Sequence, residues 1–133
     1  MLRLAASRDE LSVVDDQIGS PTYAGNIALV TMAIAAKMIA GESCERTYHY
    51  VDRDVMSWHA FAEAIFQGAT SLGMLKKSMK VNAIPSSEYP TPTKRPSYSV
   101  LDASSLIRDF AVNQVDCEAS LESVLRALSA ESA

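Results

Sequence analysis

Four prolines fall within the twelve residues from Pro85 to Pro96, at positions 85, 90, 92 and 96. Each fixes its own φ, removes an N–H donor and biases the preceding residue away from helical geometry. This stretch therefore reads as a stiff loop that cannot hold a helix or serve as a central strand. The rest of the chain has to organise itself on either side of it.

Before the loop, residues 1–8 read as the tail of a helix and Leu11–Val14 as a short strand. Asp15 through Pro21 reads as a loop, because Asp, Gly and Pro all disfavour continuing a strand. Thr22 is placed to cap a helix reaching about Ala40, and Gly41 to close it. Ile27, Val30, Ile34 and Met38 sit near helical spacing, yet Ala and Leu fill the other faces, so this helix is expected to be buried on most sides. Thr47–Asp52 alternates aromatic and polar residues and reads as a strand. Ser57 is placed to cap the clearest helix, with Trp58, Phe61, Ala62, Ile65, Phe66 and Ala69 on one apolar stripe and His59, Glu63 and Gln67 on the wet face. Trp58 and Phe61 are accordingly assigned to the core. Lys80–Ile84 reads as a short strand. After the prolines, Asp102 is placed to cap a short helix through Phe110. A last helix starts at Asp116 or Cys117, with Leu121, Val124, Leu125 and Leu128 on one stripe.

Composition narrows the function classes. The chain has 133 residues, 48% of them apolar and 21% charged, with a net charge of −4. That length suffices for one domain and one core. The acidic balance argues against nucleic-acid binding, which calls for a basic face. The most apolar stretch, Ile27–Ala36, is too short to span a bilayer and is closed by Lys37. No signal-peptide core opens the chain, so a cytoplasmic protein with no membrane partner is expected. Cys44 and Cys117 form no CxxC and no Cys/His cluster. They read as a reduced pair, and no metal site is expected. The glycines at 19, 25, 41, 68 and 73 contain no GxG pair, so a phosphate-cradling Gly-rich loop is absent. None of Tyr23, Tyr48, Tyr50, Tyr89 and Tyr98 has a lysine four residues on, and no catalytic residue is assigned. His49 and His59 stand without a nucleophile or ligand partner at a useful spacing. The short strands are too few for a doubly wound sheet, which leaves a mixed, helix-rich α/β fold.

Three segments in fixed order carry a resemblance. They are Val13-Val14-Asp15-Asp16-Gln17-Ile18-Gly19-Ser20-Pro21-Thr22; Tyr48-His49-Tyr50 with Ser57-Trp58 and Phe61-Ala62; and Ile84-Pro85, Tyr89-Pro90-Thr91-Pro92 and Arg95-Pro96-Ser97-Tyr98-Ser99-Val100-Leu101-Asp102. Together they resemble the C-terminal half of the dTDP-4-dehydrorhamnose reductase family, from Met1 to about Leu128. The resemblance implies the substrate-binding portion of an extended short-chain dehydrogenase/reductase, here a single domain over residues 1–133. In that family an N-terminal Rossmann half holds NADPH and the catalytic Tyr and Lys, while the C-terminal half covers the sugar nucleotide. The family reduces dTDP-4-dehydro-L-rhamnose to dTDP-L-rhamnose. This sequence matches the second half, so the resemblance implies no cofactor on this chain and no hydride transfer by it alone. It leaves three readings open: a truncated reductase, a noncatalytic binding or regulatory module, and one half of a split enzyme. Some family members bridge two subunits through magnesium held by glutamates. The matching positions here are Gly25 and Ala127, a departure that speaks against a metal-bridged dimer.

A dTDP-sugar presents a pyrophosphate, so cationic donors are wanted. Arg95 offers a fork matched to phosphate oxygens and Lys94 a point charge, both in the proline-stiffened loop. Gln17 lies in the other signature loop, and Tyr89 and Tyr98 are suited to stack on a base or bond a sugar hydroxyl. These five are the candidate substrate-binding residues. Each also has a plainer use: Arg95 paired with a carboxylate, Lys94 solvated, Gln17 held in a turn and the tyrosines packed. The partners the resemblance implies are a dTDP-sugar and either a Rossmann-type chain or a second copy.

Overall fold

The computed structural model describes residues 1–43 and 47–131. Along them run α1 (Leu2–Ala5), β1 (Glu10–Val14), β2 (Ile18–Gly19), α2 (Ala24–Ile39), β3 (Met56–Ser57), α3 (Trp58–Ser71), β4 (Lys80–Ile84), a 3-10 turn at Ser86–Glu88, α4 (Ser104–Phe110) and α5 (Cys117–Glu131). The fold is mixed α/β and mostly helical. Two small sheets form, β1 with β4 and β2 with β3.

β1 and β4 run parallel, Leu11 opposite Val81 and Val14 opposite Ile84. Parallel neighbours need a long crossover; both α2 and α3 lie in that connection, and α3 is the helix that packs on the pair. Its apolar stripe packs on the pair: Ala62 and Phe66 join Ala5, Leu11 and Met79 in one core cluster, with Val13, Leu75 and Val81 against it. Ser57 caps α3 as expected, its Oγ accepting the Ala60 N–H at 3.0 Å. Trp58 departs from expectation. It lies about half exposed at the first helical position, one turn before the buried run of Ala62, Phe66 and Ala69 begins, while Phe61 is half-buried. His59 is not on the wet face either. Its ring is half-buried, with Nε2 3.3 Å from the Val81 carbonyl oxygen and Nδ1 3.6 Å from Glu63.

A second cluster joins α2 to α4 through Val30, Leu106 and Phe110, with Ile34, Tyr48, Tyr50 and Val112 around it. The Tyr48 ring meets Phe110 edge-on at 5.0 Å, and Lys37 Nζ lies 5.2 Å above the Phe110 ring. Such contacts add modestly to area burial. The expected burial of α2 on most sides is not found. Within this chain α2 packs along one stripe, and Leu29, Met32 and Ile39 are 65%, 66% and 88% exposed. With Ala36 they recur every three or four residues on the open face, a spacing that stacks side chains on one side of a helix. Gly41 closes α2 at φ 89°, a conformation that favours glycine.

The strand expected at Thr47–Asp52 is also not formed. Its alternation is real, since Tyr48 and Tyr50 turn inward while Thr47 and His49 are exposed, but the segment forms no ladder with a neighbouring strand. The segment instead delivers Asp52. That carboxylate is fully buried and accepts four kinds of donor: the Tyr23 N–H at 3.0 Å, the Asn26 amide at 3.0 Å, the Tyr50 hydroxyl at 2.9 Å and the Ser120 hydroxyl at 3.0 Å. It thereby caps α2 from outside the helix. Thr22, expected as the cap, donates to the Ser20 carbonyl at 2.9 Å and accepts the Asp52 N–H at 3.3 Å. A charged acceptor makes a stronger bond to a helix N-terminus than a hydroxyl. Burial, followed by the bond to Asp52, pushes the Tyr50 phenol up to about 12.

Three boundaries shift slightly. The loop expected at Asp15–Pro21 contains β2, which pairs antiparallel with β3 and places Ile18 opposite Ser57. The proline segment holds a single 3-10 turn. Asp102 bonds the Ser104 N–H at 2.8 Å and its hydroxyl at 2.9 Å, so α4 starts just beyond it with Ala103 in the cap position. α5 begins at Cys117, whose N–H donates to Asp54 at 2.6 Å, and its Leu125 meets α3 at Gly68, where a Cβ would lie 2.7 Å from Leu125. Cys117 is buried as a free thiol, and Cys44 lies outside the described residues.

Asp52→Ala strands the Tyr23 N–H, the Asn26 amide and two hydroxyls at once. The expected loss is about 3 kcal/mol of unfolding free energy, since each buried donor left without an acceptor costs about 1–3 kcal/mol. Urea denaturation followed by circular dichroism measures it, and a loss under about 1 kcal/mol would show that Asp52 does not organise the core.

Candidate functional site

Because β1 and β4 are parallel, the loops that leave Val14 and Ile84 emerge at the same end of the pair. Ligand crevices in α/β folds form at this end of parallel strands. The two loops are stitched together residue by residue. The Asp15 N–H donates to the Ile84 carbonyl at 3.0 Å. The Asp16 carboxylate accepts the Ser86 N–H at 3.0 Å and the Ser86 hydroxyl at 2.6 Å. The Gln17 amide Nε2 donates to Ser86 Oγ at 2.8 Å. Ile18 then pairs with the far end of the proline loop: its N–H donates to the Ser97 carbonyl at 2.8 Å, and the Ser99 N–H donates back to Ile18 at 2.9 Å.

The proline loop is thus pinned at both ends to Asp16–Ile18, and its arch encloses a hollow of about 910 Å³. All five candidate residues, Gln17, Tyr89, Lys94, Arg95 and Tyr98, line it. They come from two segments about seventy positions apart, brought together by the parallel pairing. Tyr89 and Tyr98 are exposed rather than packed in a core. Lys94 and Arg95 have no ion-pair or hydrogen-bond partner among the described residues, so the plainer use of Arg95 as a carboxylate partner is not seen. Gln17 does hold the turn, through Ser86, and lines the hollow as well.

Asp16 and Ser86 also line this hollow and were not singled out from the sequence. No local pattern signals a bond between residues seventy positions apart. The Ser86 hydroxyl, then its N–H, hold the Asp16 carboxyl below the usual carboxylate range. Its oxygens are thereby engaged by Ser86, in the hollow that Lys94 and Arg95 also line. Behind the hollow, the other carboxylate of the pair, Asp15, accepts the Ser57 hydroxyl at 2.5 Å and ties it to the start of α3.

The hollow contains what anion recognition needs, a guanidinium fork and an ammonium on a stiff backbone with aromatic faces beside them. It does not contain a dinucleotide cradle. The glycines with positive φ, Gly41 at 89° and Gly73 at 70°, both follow helix C-termini, so neither opens a helix N-terminus onto a phosphate. Among the described residues no group of three or more His, Cys, Asp or Glu is arranged to hold a metal ion, and no helix is long and apolar enough to cross a membrane.

A family profile described as RmlD substrate binding domain matches residues 1–130. A dTDP-4-dehydrorhamnose reductase of Aggregatibacter actinomycetemcomitans is 43% identical over 125 residues, 93% of this chain and 42% of that protein. The Escherichia coli K12 reductase is 33% identical over 128 residues, 96% of this chain and 43% of that protein. Among solved structures, a dTDP-4-dehydrorhamnose reductase of Clostridium acetobutylicum superposes with a TM-score of 0.81 at 29% identity, covering 96% of this chain and 42% of that one. The Bacillus anthracis reductase in complex with NADP gives 0.71 at 29%, covering 98% of this chain and 41% of that one. The chain spans less than half the length of these relatives.

The Asp16 tether makes the site pH-dependent in one direction. A carboxyl whose folded pKa is depressed stabilises the fold above its unfolded value, about 3.9, and loses that contribution as pH falls through the folded value. Urea midpoints of the wild type and Asp16→Ala should therefore differ near neutrality and converge as the pH falls below about 3.9 and through the lowered folded value. A difference that stays constant with pH would exclude the charged tether.

Proposed function

The chain belongs to the RmlD substrate binding domain family, and on that premise we propose that residues 1–133 act as one domain, the sugar-nucleotide side of a cytoplasmic dTDP-4-dehydrorhamnose reductase. The observation that carries this reading is the convergence of Gln17, Tyr89, Lys94, Arg95 and Tyr98 on one hollow whose two cations have no partner among the described residues. In this reading Arg95 forks onto the pyrophosphate of a dTDP-sugar and Lys94 adds charge. Tyr89 and Tyr98 offer faces to the base, and Gln17 offers an amide. Pro90, Pro92 and Pro96 hold the loop near its bound shape, which lowers the ordering cost of binding.

These residues bind and orient; they do not reduce. Hydride transfer needs a nicotinamide beside the carbonyl carbon and an acid near its oxygen. When bound, the cofactor supplies the hydride, and the residues of this chain do not fit it. The catalytic half is therefore assigned to a nucleotide-binding unit that completes the crevice, and NADPH belongs to that unit. The open stripe of α2 (Leu29, Met32, Ala36 and Ile39) supports such a partner, because a row of large apolar side chains gains by being covered.

Two measurements test this reading. Calorimetric titration with dTDP should show binding, weakened about tenfold in Arg95→Lys, the loss expected when one charge-assisted bond of about 1.5 kcal/mol is removed. Equal affinity in the variant removes Arg95 from the site, and no binding by the wild type overturns the reading itself. Light scattering on the 133-residue chain should show self-association through the uncovered α2 stripe, reduced in Leu29→Glu/Met32→Glu. A strict monomer at high concentration would show that this face needs no cover.

A further inference from the structure

Ser86 sits between two side chains of unlike chemistry. An ionised carboxylate only accepts hydrogen bonds, so the 2.6 Å contact with Asp16 consumes the single hydroxyl hydrogen of Ser86. Ser86 Oγ then has lone pairs alone to offer Gln17. The 2.8 Å contact must therefore be made by the Gln17 NH2 group, and its carbonyl oxygen must point away from Ser86. Asp16 is ionised at neutral pH, and Ser86 holds its carboxyl lower still, so this chain of donors runs in one direction. Among the described residues no donor meets the Gln17 Oε1, and Gln17 lines the hollow.

We infer that Ser86, held by Asp16, is a positioning residue that locks the Gln17 carboxamide with its oxygen presented to the hollow, so that the hollow selects a nucleobase with a ring N–H donor over one with a ring acceptor. The inference rests on the sugar-nucleotide reading above and names the residues that fix the orientation of the base contact. The orientation matters for a base and not for a sugar. A hydroxyl both donates and accepts, and satisfies an amide turned either way, whereas a ring nitrogen does one or the other. Tyr89 and Tyr98 give the base flat faces in the same hollow. An imide base such as thymine presents its ring N–H to the fixed oxygen. Cytosine presents a lone pair, which leaves two acceptors facing each other, and a mismatched polar contact in a site built to bond discriminates strongly.

The lock and the selectivity are tested separately. In nitrogen-15-labelled protein, the side-chain NH2 of Gln17 should show one proton protected from exchange in the wild type and in Ser86→Thr, and neither in Ser86→Ala. Unchanged protection in Ser86→Ala overturns the lock without any ligand. Titrations with dTDP and 2′-deoxycytidine diphosphate then read the selectivity. The wild type should prefer dTDP by about tenfold, Ser86→Ala by about threefold or less, and Ser86→Thr should restore the preference. Asp16→Asn is the sharper variant. Its amide donates to Ser86 Oγ, which frees the Ser86 hydrogen to bond the Gln17 oxygen and turns the NH2 outward, so the preference should shrink or reverse. A merely structural role for Asp16 and Ser86 would lower both affinities together and leave their ratio unchanged, which overturns the inference. Equal affinity of the wild type for the two nucleotides, with dTDP binding intact, overturns the selectivity and leaves the sugar-nucleotide reading standing, whereas no dTDP binding by the wild type defeats that reading and the selectivity with it.

Discussion

A single buried carboxylate ties together parts of the chain that no sheet joins. Asp52 receives bonds from Tyr23 and Asn26 at the start of α2, from Tyr50 in its own segment and from Ser120 on α5. A carboxylate without a cation is costly to bury unless donors surround it, and here Tyr23, Asn26, Tyr50 and Ser120 all donate to it. Asn26 reinforces the arrangement by bonding both Asp52 and Ser120. The arrangement explains why residues 47–52 need no strand partner: its side chains, rather than its backbone, fix it in place. It also sets the direction in which α2 leaves the loop at Ser20–Thr22, which is the loop that continues from the binding hollow.

The hollow depends on a different constraint, the parallel register of β1 and β4. Val14 opposite Ile84 places Asp15–Ile18 beside Pro85–Ser86, and the bonds from Asp16 and Gln17 to Ser86 follow from that register. Five residues per strand are few, and the pair is held by α3 on top of it. The Gly68 approach to Leu125 shows how closely α5 closes over α3 in turn. A change in the α3–α5 packing would therefore reach the hollow through the register of two short strands and through the Ser57 contacts with Asp15 and Ile18 at the start of α3. The stitching at Ser86 and at Ile18 makes the hollow's rim depend less on the sheet than its position suggests.

The helices and both five-residue strands were legible in the sequence because their signals are local: a serine cap before an apolar stripe at 57–69, an apolar run at 11–14, prolines that forbid a helix at 85–96. The failures share a cause. Thr22 looked like a cap because a hydroxyl stands at the right place, but a charged acceptor thirty residues away takes the Tyr23 N–H. Thr47–Asp52 has the period of a strand without forming a ladder. The α2 helix is apolar all round, and sequence alone does not tell a face covered within the chain from one that is not. Trp58 falls on the stripe but ahead of the core. The five hollow residues were named from the two signature loops, and their meeting in one place follows from the parallel pairing. Ser86 carries no such local signal, because its importance lies in long-range bonds to Asp16 and Gln17 and in no feature of the residues around it.

The charge distribution bears on how such a hollow gathers an anion. The chain carries a net charge of −4, so a diphosphate approaching from a distance meets mild repulsion rather than attraction. That field fades over about 8–10 Å at physiological salt. In the proposed reading Lys94 and Arg95 act inside this distance, where neither is in an ion pair among the described residues. Recognition then rests on contacts made at the surface, not on long-range steering. The stiff proline backbone supports this mode of capture, since a loop that need not be ordered loses less on binding. In the proposed reading such a site gains its affinity by slow release rather than fast capture, and its discrimination would reside in the fixed amide and the forked guanidinium.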